Sequence, residues 1–144
     1  MAMRWSSSER GAALIGGLIA SACVSSVTRY YVPDARNPRF DSTAAAGVVT
    51  QYLGVQCPER LAAKKPESGG VRVTVLSDTS GAVTRAVLES STGDEMLDGV
   101  FGTVAAQLKL DSLRAPKAEA TRHLRMAFSC TASAPGATIE LLPR

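Results

Sequence analysis

The sequence predicts an α+β fold: a small two-layer domain in which a three-stranded antiparallel sheet packs with two helices, preceded by a signal segment and a tether. Three observations predict it. Two alternating runs, Val71-Arg-Val-Thr-Val-Leu-Ser77 and Ala82-Val-Thr-Arg-Ala-Val-Leu-Glu89, flank the turn-forming Asp78-Thr-Ser-Gly81, which is the pattern of a β-hairpin. Apolar residues then recur at helical spacing, at Leu97, Val100, Phe101, Val104 and Leu108. A third alternating run follows, Thr121-Arg-His-Leu-Arg-Met-Ala-Phe-Ser129.

In chain order, residues 23–41 hold Pro33, Pro38 and scattered charges around Tyr30, Tyr31 and Phe40, a non-periodic composition that predicts a flexible tether. Fully extended, such a tether reaches about 60 Å. Ala45, Val48, Val49 and Tyr52 predict a first helix starting at Ser42, capped by Asp41 or Ser42 and ended by Gly54. Pro58 suits the first position of a second short helical turn over 58–64, because its missing N–H has no helical partner there. Pro66, Gly69 and Gly70 then stop any helix.

In the first strand Val71, Val73 and Val75 share the buried face, and Gly81 supplies the positive φ of the turn. The less regular second strand has room for a bulge. Thr92-Gly-Asp-Glu95 fits a capping box for the long helix. Gly99 and Gly102 each cost that helix about 1 kcal/mol relative to alanine, so it depends on packing rather than on propensity. In the third strand Leu124, Met126 and Phe128 share one face, and His123, Arg125 and Ala127 the other. The domain is predicted over 42–130, with 131–144 a tail or a short edge strand.

Three cysteines divide unequally along the 144 residues. Cys23 closes a short apolar run, Gly11-Ala-Ala-Leu-Ile-Gly-Gly-Leu-Ile-Ala-Ser-Ala22, preceded by Arg4 and Arg10. Small residues directly before a cysteine at the end of such a run resemble the lipobox of bacterial lipoproteins, where lipid is attached to the thiol and residues 1–22 are removed as a signal peptide. Two other processings compete. Residues 11–27 approach the roughly 20 needed to span a bilayer as an uncleaved anchor, and Ala20 and Ala22 also suit plain cleavage after Ala22. In the oxidising envelope that all three imply, the even pair Cys57 and Cys130 is expected as a disulfide.

The remaining chemistry is sparse. A net charge of +3 without a Lys/Arg-rich run or an aromatic stacking series argues against nucleic-acid binding. His123 is the only histidine and is expected as a solvated residue; no metal ligand set or cofactor motif is read. Asp94, Glu95 and Asp98 are explained by the positive end of a helix dipole. Ser90-Ser91 lacks the surroundings of a nucleophile, and Gly69-Gly70 precedes a strand rather than the helix a phosphate loop needs. The expectation is therefore a protein that binds and does not catalyse.

The order helix, strand, tight turn, strand, helix, strand resembles the C-terminal domain of the TonB family of energy transducers. Gly70-Val-Arg-Val-Thr-Val resembles that family's first strand, Ser80-Gly-Ala-Val-Thr its hairpin turn, Ser90-Ser-Thr-Gly-Asp the approach to its long helix, and Leu97-Asp98 a frequent pair early in that helix. The resemblance runs from about Cys57 to Ser129. Two places depart from it: Cys57-Pro58 stands where Tyr-Pro is common, and Leu108-Lys-Leu-Asp-Ser replaces an aromatic-rich segment. The tyrosine-to-cysteine exchange suggests a structural bond from Cys57 to Cys130, tying the first helix to the sheet.

The lipobox-like run implies an envelope lipoprotein facing the periplasm and attached by lipid at Cys23, and Val24 rather than aspartate after that cysteine points to the outer membrane rather than the inner. The TonB-like resemblance implies that its domain binds a partner. Its partner would be an envelope protein or peptide, an outer-membrane protein among the candidates. Binding would occur by strand addition to the third strand, taken as the exposed edge, through Arg122, His123, Leu124, Arg125, Met126 and Phe128. A homodimer through a sheet edge is the competing occupant. The alternative function is a TonB-type transducer anchored by residues 11–27 and supporting outer-membrane transport.

Overall fold

The computed structural model describes residues 29–110, 119–131 and 134–143; the apolar N-terminal run and Cys23 lie outside them. The described chain forms β1 (Arg29–Tyr31), α1 (Ser42–Ala62), β2 (Ser68–Ser77), β3 (Val83–Leu88), α2 (Glu95–Ala106), β4 (Ala120–Thr131) and β5 (Ala134–Leu141). All five strands join one antiparallel sheet in the order β1-β3-β2-β4-β5. The three strands read from the sequence are β2, β3 and β4. The prediction of a three-stranded sheet is thus corrected: β1 extends it beyond β3, and β5 extends it beyond β4.

Among the described residues only one face of the sheet is covered. Alternate residues of the central strands are buried there, including Val71, Val73 and Val75 of β2, Leu124, Met126 and Phe128 of β4, and Ala86 and Leu88 of β3, where a register shift opposite Leu76 and Ser77 also turns Val83 inward. Val49 and Leu53 of α1 and Leu97, Phe101 and Val104 of α2 complete the core. The first helix lies over β4 and β5, the second over β3, β1 and β2. Neither described helix lies on the opposite face.

Two local expectations give way to tertiary packing. The helix that Gly54 should end continues through it and through Pro58 to Ala62. Proline inside a helix removes a hydrogen bond at a cost of about 3 kcal/mol. Here the continued helix buries Leu53, Cys57 and Arg60, and Cys57 is bonded to Cys130 of β4 with the Cα atoms 5.3 Å apart. Burial of that face and the bond outweigh the loss. In α2, Asp94 rather than Thr92 is the N-cap, accepting from the N–H groups of Met96 and Leu97 at 3.0 and 3.3 Å. Thr92 Oγ1 instead donates to Asp98 Oδ1 at 2.6 Å.

The flexible tether is corrected from residue 29 onward, because that segment is bonded to β3 and to residues 106–109 at the end of α2. Arg29 and Tyr31 pair with Leu88 and Ala86. Gln107, 3 % exposed, accepts from the Asp34 N–H at 2.7 Å and donates to the carbonyls of Asp34, Asn37 and Pro38. Phe40 exchanges backbone bonds with Gln107 and Lys109 at 3.0 and 2.8 Å. Sequence periodicity cannot reveal such a segment, since its partners are a single side-chain amide and backbone groups distant in the chain.

Gly102 has a tertiary reason. A Cβ there would overlap the ring of Tyr31, which packs β1 onto α2. Gly102→Ala is expected to destabilise by about 1 kcal/mol, the strain of overpacking exceeding the helix-propensity gain. A Gly102→Ala, Tyr31→Ala double variant should show denaturant unfolding clearly less destabilised than the two single effects added together. Strict additivity would mean that the two positions do not meet.

Candidate functional site

The strand taken as the exposed edge is interior. Strand β4 pairs with β2 from Ser77↔Ala120 to Ser68↔Ser129, and with β5 from Leu124↔Leu141 to Thr131↔Ala134. Strand addition at residues 121–129 is therefore corrected: the strand is bonded to β2 along this whole stretch and to β5 from His123 onward. Leu124, Met126 and Phe128 are core residues at 4 % exposure or less. Arg122 is half-buried on their face, whereas His123 and Arg125 project from the uncovered face. His123 Nδ1 lies 3.0 Å from Thr74 Oγ1 and 3.7 Å from Glu89 Oε1.

Strand addition needs outward backbone groups, and the sheet has few. The outer side of β3 is closed: β1 covers Ala86 and Leu88, the Val83 N–H donates to the Leu108 carbonyl, and Arg39 donates to the Val83 carbonyl at 2.5 Å. Strand β1 is three residues long, so alternation turns only Tyr30 outward. Strand β5 differs. Its Leu142 N–H reaches the His123 carbonyl, which assigns Thr138, Glu140 and Leu142 to β4 and turns Ala137, Ile139 and Leu141 outward. Pro135 has no N–H, and the Ala137 N–H is taken by Thr50 Oγ1 of α1 at 3.1 Å. The N–H groups of Ile139 and Leu141 have no partner among the described residues.

Those two open rungs border a hollow of about 400 Å³ between the first turn of α1, residues 108–110 and the ends of β4 and β5. Leu108 and Leu124 form its apolar floor, and Asp41 and Lys109 its charged rim. Leu141, 39 % exposed, stands beside it. A larger hollow of about 610 Å³ lies on the uncovered face around Glu89, Arg72 and Arg125. There Arg72 faces Arg125 across the β2–β4 pair, with Glu140 opposite Arg125 on β5.

A buried ionic cluster joins the two helices. Arg60, 5 % exposed, donates to Asp94 Oδ2 at 2.5 Å and lies 5.0 Å from the centre of the Phe128 ring. Lys65 lies 3.7 Å from the same carboxylate oxygen. Burial alone would raise the Asp94 pKa, but the N–H groups of Leu97 and Met96 and the charges of Lys65 and Arg60 hold it below the usual carboxylate value. Asp98, also buried, accepts from Ser91 Oγ, the Thr92 N–H and Thr92 Oγ1. These carboxylates fasten the β3–α2 connection to α1, an arrangement that a helix-dipole argument does not anticipate.

Among the described residues no group of histidine, cysteine and carboxylate side chains is placed to hold a metal ion, and no helix is long and apolar enough to cross a membrane. No family model, curated protein or solved structure matches the chain.

Proposed function

We propose that this chain is a membrane-attached protein of the bacterial cell envelope whose α+β domain binds an extended segment of a protein or peptide by strand addition along β5. One observation carries the binding reading: Ile139 and Leu141 offer unpaired backbone rungs directly beside an apolar hollow. Main-chain bonds at the rungs supply affinity, and a side chain of the added segment entering the hollow supplies selectivity. The lipobox-like approach to Cys23 supports lipid attachment. The order α1, β2, β3, α2, β4 is the order on which the TonB-like resemblance rests, and it supports an envelope partner, an outer-membrane protein among them.

Proline at position 139 separates binding from folding. The Ile139 N–H points away from β4, so Ile139→Pro removes an open rung without breaking a sheet bond. A photo-crosslinking residue at Leu141, introduced in cells, is expected to form an adduct that maps to one extended stretch of a partner. Ile139→Pro should abolish that adduct while the domain keeps its circular dichroism. Unchanged capture by the folded variant would rule out addition at β5. Amide exchange supplies a second check: Thr138, Glu140 and Leu142 should be protected in the free domain, while Ile139 and Leu141 exchange rapidly.

A further inference from the structure

The sheet begins only six residues after Cys23, and this short spacing bears on which part of the domain meets the membrane. Six residue steps reach at most about 20 Å even when fully extended, far less than the 60 Å of a tether running to residue 41. A lipid on Cys23, or an anchor ending near residue 27, therefore holds the β1 edge beside the bilayer. The inference that follows rests on the membrane attachment proposed above and holds for either form of it.

The β1 corner of the uncovered face carries side chains suited to that surface. Tyr30 is 62 % exposed and Val32, two residues on, is 72 % exposed. Tyr31 between them is turned inward onto α2, so the pair is not part of the core. The Arg85 guanidinium lies 5.4 Å from the centre of the Tyr30 ring, and no carboxylate lies within ion-pair distance of it among the described residues. A tyrosine and an aliphatic side chain beside an uncompensated cation match the chemistry of a phospholipid headgroup region with anionic lipids.

We infer that Tyr30, Val32 and Arg85 form a docking surface for an anionic phospholipid bilayer, orienting the domain with β1 at the membrane. Strand β5 is the opposite edge of the sheet, four strand spacings or about 19 Å away. Docking at β1 thus presents the open rungs of Ile139 and Leu141 away from the lipid. The short connection makes the contact nearly intramolecular, so individually weak side chains suffice to hold it.

Tryptophan reporters test the orientation. Trp5 is the chain's only tryptophan, so in a Trp5→Phe background each added indole is a single probe. The full membrane-extracted protein is reconstituted into vesicles containing anionic and brominated phospholipids, with Tyr30→Trp, Val32→Trp or, on the helix over the far edge, Val55→Trp. Quenching at positions 30 and 32 is expected to exceed that at Val55, itself 72 % exposed, by about twofold or more. Replacing Arg85 with glutamate should reduce the excess. Vesicle flotation is read in parallel. Protein that floats but shows equal quenching at all three positions overturns the docking surface and leaves attachment standing. Protein that does not float overturns both. A concentration-dependent emission shift at position 30 without lipid quenching assigns the surface to a second copy of the chain and also overturns the proposal.

Discussion

Cys57→Ser is expected to lower the melting temperature by roughly 15–20 °C. The bond joins residues 73 apart, and closing a loop of that length restricts the unfolded chain by about 4 kcal/mol on the chain-entropy model. Its position magnifies the effect. Cys57 lies in the helical stretch weakened by Gly54 and Pro58, and the bond holds that stretch against β4. Both sulfur positions are buried, at 3 % and 0 % exposure, so a lone serine also loses its water without gaining a stated partner. The Cys57→Ser, Cys130→Ser double variant should melt close to the single one, because the bond can be lost only once. Alkylatable thiols at Cys57 and Cys130 in protein isolated without reductant would falsify the bond.

Asp94→Asn is expected to destabilise by about 3 kcal/mol near neutral pH, since it removes the carboxylate partner of the buried Arg60 guanidinium and leaves it the Pro66 carbonyl at 3.3 Å. Asparagine still caps α2, so the change isolates the charge from the cap. The sign of the pH dependence follows from the lowered folded-state pKa of Asp94. Its stabilising contribution is present above the unfolded carboxylate's pKa and is lost as pH falls through the lower folded value, so native stability should decline in acid below about pH 4. Asp94→Asn should show a shallower decline in that window. Asp34 and Asp78, also lowered by Arg36 and by Ser80 respectively, leave part of the slope in place. Chemical denaturation at pH 3 and pH 7 measures both effects. Equal stability of variant and parent at pH 7 would mean that Arg60 is solvated or otherwise paired.

The sequence by itself determined the parts that repeat. Alternation of Val71, Val73 and Val75, and of Leu124, Met126 and Phe128, assigned each strand and its inward face, because a strand with one covered face must place apolar side chains at every second position. The turn at Gly81, with φ of 85°, was equally legible, since few other residues adopt that conformation. The pairing of Cys57 with Cys130 was expected once Cys23 was set aside with the lipobox-like run, which left an even pair and implied an oxidising compartment.

Tertiary structure decided which strand is the edge. Strand β4 looks like an edge when three strands are counted, and becomes interior once Thr138 and Glu140 bond to Ala127 and Arg125. Strand β1 is three residues long and leaves no period to detect, and residues 32–40 are held by the Gln107 amide, the Arg39 guanidinium and the Phe40 backbone, whose partners lie more than forty residues away in the chain. Helix α1 passes Gly54 and Pro58 because the burial of Leu53, Cys57 and Arg60 outweighs local propensity. Propensity and periodicity act within a few residues of the chain, whereas an edge is defined by what fails to pair with it. The open rungs at Ile139 and Leu141 therefore emerge only when Pro135, Thr50 and β4 have claimed the rest of the strand.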